Sequence, residues 1–95
     1  MASYKKHHAM AAHRLGQRAA RRMALLSATL PRDLVDETCQ RESEFLGVVV
    51  SLTADEFALP GGSARSRFEA AVGNALDKET DRILSLIAKG TASPQ

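Results

Sequence analysis

Apolar and small residues recur at helical spacing along most of the chain. From Ala9 to Leu30, at about 100° per residue, Ala12, Leu15, Ala19, Met23, Leu26 and Leu30 fall within an arc of about 80°. Arg14, Arg18, Arg21 and Arg22 lie on another face, centred about 100° away. Ala12, Gly16 and Ala19 sit on or beside the apolar stripe, where they permit a second backbone to come close, although Gly16 costs about 1 kcal/mol of helix propensity. Pro31 ends this segment, because the residue before a proline is steered away from helical angles, and it suits the first turn of a following helix. Asp33, Asp36 and Glu37 then fall near that helix N-terminus, where the dipole favours acids. Leu34, Val35, Thr38, Phe45, Val49 and Leu52 mark a candidate buried face. The valine-rich run from Phe45 to Leu52 reads as helix or as strand, with Gly47 a candidate kink. Helix is preferred, because no second strand-like run exists to pair with it.

Thr53, Ala54, Asp55 and Glu56 have the form of a capping box, which predicts a separate short turn of helix through Ala58. Leu59-Pro60-Gly61-Gly62 is the strongest turn signal in the chain. Ser63 is a suitable N-cap for a last helix that runs to about Lys89 and stops at Gly90, with Pro94 beyond. Its stripe is Phe68, Val72, Ala75, Leu76, Ile83, Leu86 and Ile87, interrupted by Glu79. An unpaired buried carboxylate is costly. Glu79 must therefore sit at the rim of the stripe or meet a basic residue from the first helix or from a second subunit.

The expected architecture is all-α: two long helices, one intermediate helix and a short helical turn, packed as an antiparallel hairpin or bundle. Residues 1–8 read as a flexible basic arm, 9–90 as a single helical domain and 91–95 as a disordered tail. Ninety-five residues make one domain with a limited core. Such chains often pool their apolar faces by dimerising, and a homodimer is expected here. Leu15, Met23, Leu26, Phe45, Val49, Phe68, Val72, Leu76, Ile83 and Ile87 are the candidates for core or dimer packing.

Charge changes this picture by giving the molecule a direction. Lys5, Lys6, Arg14, Arg18, Arg21, Arg22 and Arg32 all precede the first acid, Asp33; the remainder carries eleven acids and six bases. So polarised a chain points to an oriented partner. A solvated basic face, or one paired with acids of the second helix, is the simplest reading; a protein partner comes next and nucleic acid third. The arginines could track phosphates. No aromatic residue interleaves with them to stack bases, and Pro31 with an acidic helix behind it spoils a helix-turn-helix.

Candidate chemistry adds little. His7, His8 and His13 lack the three- or four-residue spacing of ligands on one helical face, so no metal is expected. Glu42 with Glu44, and Asp77 with Asp81 beside Lys78 and Arg82, read as solvated faces. No nucleophile elbow or phosphate loop is present, so no catalytic residue, cofactor or enzymatic activity is expected. Cys39, the only cysteine, reads as a buried free thiol in a reducing compartment. No apolar run reaches the ~18 residues of a membrane span, and no secretory h-region follows the basic N-terminus. The expectation is a soluble cytoplasmic protein with no membrane partner.

Leu30-Pro31 followed by Asp33-Leu34, then Ala54-Asp55-Glu56-Phe57-Ala58-Leu59-Pro60, Gly61-Gly62 and a long helix opening with Arg67-Phe68 and closing at Gly90, form a recognisable layout over roughly residues 26–90. It resembles the TraM-type antiactivators of conjugal transfer in rhizobia and agrobacteria. The resemblance implies a small all-helical dimer that silences a LuxR-type quorum-sensing transcriptional activator by binding it directly. The segment between the second Leu-Pro and Gly-Gly is shorter here, and the first helix is longer and more basic, so the class carries over and individual residues do not. On this reading Asp33, Asp36, Glu37 and Glu44 would occupy a basic DNA-reading surface of the activator, while Arg14, Arg18, Arg21 and Arg22 would fix orientation. A small DNA-binding transcriptional regulator and a phage or plasmid anti-defence inhibitor are the alternatives.

Overall fold

The computed structural model describes residues 4–59 and 61–92. They form three helices, α1 (Lys6–Thr29), α2 (Arg32–Glu56) and α3 (Ser63–Ala92), and no strand occurs among the described residues. The valine-rich run is therefore helical. Leu30 and Pro31 make the α1–α2 connection, closed by Leu34 N–H donating to the Pro31 carbonyl at 2.9 Å.

Four boundaries differ from the sequence reading. Helix α1 begins at Lys6 instead of Ala9, so the expected flexible arm is in part structured. Lys5 N–H donates to His8 Nδ1 at 3.0 Å, and the buried His8 ring lies 4.6 Å from the Phe57 ring. Ahead of it, the Arg67 guanidinium stacks over Tyr4 at 4.7 Å. Helix α2 passes through Gly47 without ending, and through Thr53 as well. Thr53 Oγ1 donates back to the Val49 carbonyl at 2.7 Å, a mid-helix habit of threonine that removes it from capping. No separate short helix follows. Instead α2 closes with Ala58 in the left-handed region (φ 55°) and Leu59 N–H bonded to the Ala54 carbonyl at 3.0 Å, the bond pattern of a Schellman ending. Ser63 is the first helical residue of α3 and so does not cap it. Finally, α3 runs through Gly90 to Ala92; residues 93–95 of the expected tail lie outside the described residues.

The chain runs up, down and up again. Helix α1 is central. It lies antiparallel to α2, with Leu15 near Val49 and Arg22 paired to Glu42. It lies parallel to α3, with Gly16 against Val72–Leu76, Arg21 on Glu79 and Ser27 beside Leu84 and Ile87. Helices α2 and α3 meet little beyond the turn that joins them. There Arg65 donates to Asp55 Oδ1 and Ser51 Oγ, both at 2.8 Å. The molecule measures 56 × 26 × 15 Å. Its short dimension is little more than one helix with side chains, about 10–12 Å. Its radius of gyration of 15.6 Å exceeds the roughly 12–13 Å of a compact chain this long.

A layer this thin encloses a small core. Ala12, Val50, Ala54, Leu59, Phe68 and Val72 form it, with Phe57, Leu15 and Leu46 packed against them. Among the described residues, Phe68 is the only large side chain fully buried. Along α1 the most buried row is His8, Ala12, Gly16 and Ala20, a row of mostly small residues facing α3. Leu15, Ala19, Met23 and Leu26 are half-buried.

The expected buried face of α2 is corrected. Leu34, Phe45 and Leu52 are exposed, Phe45 by 65%, while Val50 and Ala54 are buried and Leu46 half-buried. The stretch Phe45-Leu46-Gly47-Val48-Val49-Val50 is apolar on nearly every side, so two stripes compete for α1; the one with the small Ala54 wins. The distal stripe of α3 also differs: Leu86 and Ile87 are exposed, and among the described residues of α3 the buried ones lie between Phe68 and Glu79.

Candidate protein-binding surfaces

Two open apolar grooves flank α1. The first, of about 430 Å³, lies between α1 and α2, floored by Leu15, Ala19, Leu46 and Val49 and edged by Phe45. Arg18, Arg22 and Glu42 stand at its rim, with Arg22 Nε 2.9 Å from Glu42 Oε1. The second, also of about 430 Å³, lies between the C-terminal halves of α1 and α3, walled by Met23, Ala24, Leu76, Ile83, Leu84 and Ile87. Both run along helices and have apolar walls, the shape that receives an amphipathic helix. Half-buried Cys39 sits near the far end of the α1–α2 contact, its Sγ 3.8 Å from Ser27 Oγ.

Between α1 and α3 the interface has a polar centre. Glu79 receives Arg21 Nε at 2.6 Å from α1, and Arg82 Nε at 2.7 Å and Nη2 at 2.9 Å from its own helix. The partner expected for this acid thus comes from the first helix. Glu79 is covered by two guanidinium groups that are themselves more than half exposed, so it sits under a charged lid at the interface edge and not in an apolar interior. The hydrogen bonds from Arg82 and then Arg21 lower the Glu79 carboxyl from 4.5 to about 2, and Glu79 in turn raises the Arg82 guanidinium. A depressed carboxylate contributes stability that is present above the unfolded-state value and lost as pH falls through the folded one. The stability advantage of the wild type over Glu79→Gln should therefore be complete above pH 4.5 and shrink as pH falls toward 2. Urea midpoints of the two proteins, measured in parallel down that range, test this; a difference independent of pH would mean the ion pairs contribute nothing.

The four arginines picked out on α1 are all exposed, but they divide: Arg21 and Arg22 pair with Glu79 and Glu42, while Arg14 lies close to Lys6 and His13 in a shallow surface hollow and Arg18 stands at the rim of the α1–α2 groove. The four acids picked out on α2, Asp33, Asp36, Glu37 and Glu44, are all exposed. Glu37 pairs with Arg41 at 2.8 Å and Glu44 accepts from Gln40 at 3.3 Å. At about 100° per residue, Asp33, Glu37 and Glu44 share one narrow ridge with Asp36 at its margin, turned away from the α1–α2 groove. The basic and acidic sets therefore form separate surfaces. Among the described residues, no three His, Cys, Asp or Glu side chains cluster as metal ligands.

Sequence reasoning missed the extent of exposed apolar surface. Met10, Leu25, Leu34, Phe45, Val48, Leu52, Leu84, Leu86 and Ile87 are each 44–65% exposed. A signal was present in the all-round apolar run of α2, which provides for a partner on each side.

The described residues define an all-α fold of three helices in one layer, with apolar grooves on both sides of the central helix. No helix among the described residues is long and apolar enough to cross a membrane. A scan against protein-family models, a search of curated proteins and a search of solved structures each found no match.

Proposed function

We propose that this chain is a non-enzymatic regulatory protein that works as a homodimer by binding and inhibiting another protein. The observation that carries the reading is the set of large apolar side chains left exposed along α2 and the distal part of α3. Large apolar side chains grouped on an exposed helix face mark sites of association. The groove between α1 and α3 fits an amphipathic helix of the target, and the acidic ridge of Asp33, Glu37 and Glu44 suits a basic neighbouring surface. Helical DNA-binding domains have both features. The resemblance to TraM-type antiactivators names the target class as a LuxR-type transcriptional activator, which would be silenced by occupation of its DNA-reading surface.

The test is capture from host lysate on the immobilised protein, with and without nuclease, read by mass spectrometry. A transcriptional activator retained at fixed stoichiometry after nuclease is the expected result. Retention of nucleic acid alone, with proteins lost on digestion, would transfer the function to Arg14, Arg18 and Lys6 as phosphate contacts and end the inhibitor reading.

A further inference from the structure

The apolar stripe of α2 that faces away from the core has a symmetry of its own. At about 100° per residue, Phe45, Val48, Val49 and Leu52 fall within one sector of about 100°, and Arg41 and Glu56 lie in the same sector at its two ends. The spacing is palindromic about the Val48–Val49 bond: one step out stand Phe45 and Leu52, and one further step out stand a base and an acid. Phe45, Val48 and Leu52 are each more than half exposed.

We propose that this stripe is the homodimer interface, with α2 packed antiparallel against α2 of a second copy about a two-fold axis between Val48 and Val49. Phe45 of each copy then packs on Leu52 of the other, the valines meet at the axis, and Arg41 faces Glu56 at both ends. This inference rests on the dimeric part of the proposed function and adds the surface and its direction.

Three observations favour a second copy as the occupant. The first is charge. A parallel pairing would set arginine against arginine and glutamate against glutamate, whereas the antiparallel one makes two opposite-charge contacts from a single sequence. Among the described residues Arg41 is held by an exposed i,i+4 pair with Glu37, which exchanges readily, and Glu56 is exposed. The second is area. A stable interface takes roughly 800 Å² from each partner, more than one helix stripe supplies. Phe45 and Val49 also edge the α1–α2 groove, so a helix seated on the stripe covers the groove floor of Leu15, Ala19 and Leu46 as well. The third is architecture. Domains are built from packed layers, and this chain supplies one. Two α1–α2 hairpins brought together complete a four-helix bundle, with α3 on its outside.

Sedimentation equilibrium on the full-length chain tests the pairing with Arg41→Glu, Glu56→Arg and their equimolar mixture. The substituted positions are at the ends of the stripe, and circular dichroism should show unchanged helix content. Each single reversal places like charges together at both ends and is expected to weaken dimerisation by about tenfold or more. Mixing the two variants should recover wild-type affinity as a heterodimer, because every facing pair is again opposite; the double variant should recover it alone. A dimer whose affinity ignores both reversals would overturn the α2 pairing and leave the dimer itself standing. A wild-type chain that stays monomeric at every concentration would overturn the dimer as well and assign the stripe to a different protein.

Discussion

Phe68→Ala should bring the protein close to unfolding. Removing a fully buried aromatic costs about 3–5 kcal/mol in transfer energy and residual cavity, and Phe68 has no exposed surface. Small domains are held by about 5–15 kcal/mol in total, with chains of this size toward the lower end. No other large side chain among the described residues is fully buried to share the loss. Phe68 joins all three helices: it packs in the cluster with Ala12 of α1 and Val50 and Ala54 of α2, and its ring meets Phe57 edge-on at 6.0 Å. The cavity cannot collapse easily, because its walls come from separate helices. Urea titration followed by circular dichroism should show an early or incomplete transition for Phe68→Ala. Phe68→Leu, which keeps most of the volume, should lose much less. A loss below about 1 kcal/mol for the alanine variant would place the centre of the core elsewhere.

The second large effect is expected at Gly16, and its sign is the informative part. In an ordinary helix interior, glycine to alanine stabilises by about 0.5–1 kcal/mol. At Gly16 a Cβ would overlap the Val72 carbonyl oxygen and come within 2.7 Å of Ala75 Cβ and Leu76 N. Backbone atoms of α3 cannot step aside as a flexible side chain can. Overpacking of this kind costs about 1–3 kcal/mol, enough to reverse the propensity gain. Gly16→Ala should therefore lower the melting temperature, and Gly16→Val should lower it further by prising α1 from α3. Gly47→Ala is the internal control: a Cβ there meets nothing within 4 Å, so melting should rise. Matching shifts at the two glycines would mean that α1 and α3 are not in backbone contact.

Much of the fold was legible in the residues themselves. Leu30-Pro31 divided α1 from α2, because proline acts on its neighbour through sterics that tertiary packing cannot override. The small residues of α1 signalled a close approach, and Gly16 makes it. Glu79, a carboxylate on an apolar stripe, had to sit at its rim or meet a base; it does both, at the interface edge under Arg21 of α1 and Arg82 of its own helix. Other features were not legible. Thr53 fits a cap pattern but bonds Val49 one turn back, and a short motif cannot say which of two local bonds wins. Gly90 has the right identity for a helix stop, yet stopping also requires a left-handed turn, and α3 continues. For α2, apolar periodicity specified two stripes, and only packing against α1 chose between them. The surfaces offered as binding sites followed the charges. Charges report long-range steering, whereas the exposed Phe45, Val48 and Leu52 came into view only once the core had been seen to exclude them.

The parallel alignment of α1 with α3 also constrains how the protein is made. The ion pair at the heart of that interface joins Arg21 to Glu79, 58 positions apart in the chain. Loop-closure entropy must be met before such a contact is rewarded. During synthesis, the small-residue row of α1 therefore waits, with only the thinner α1–α2 contact formed, until most of α3 has been added. A nascent chain stalled at the Gly61-Gly62 turn would expose that whole row and be a ready substrate for chaperones and proteases. The α1–α3 interface forms late, at almost the moment α3 is complete.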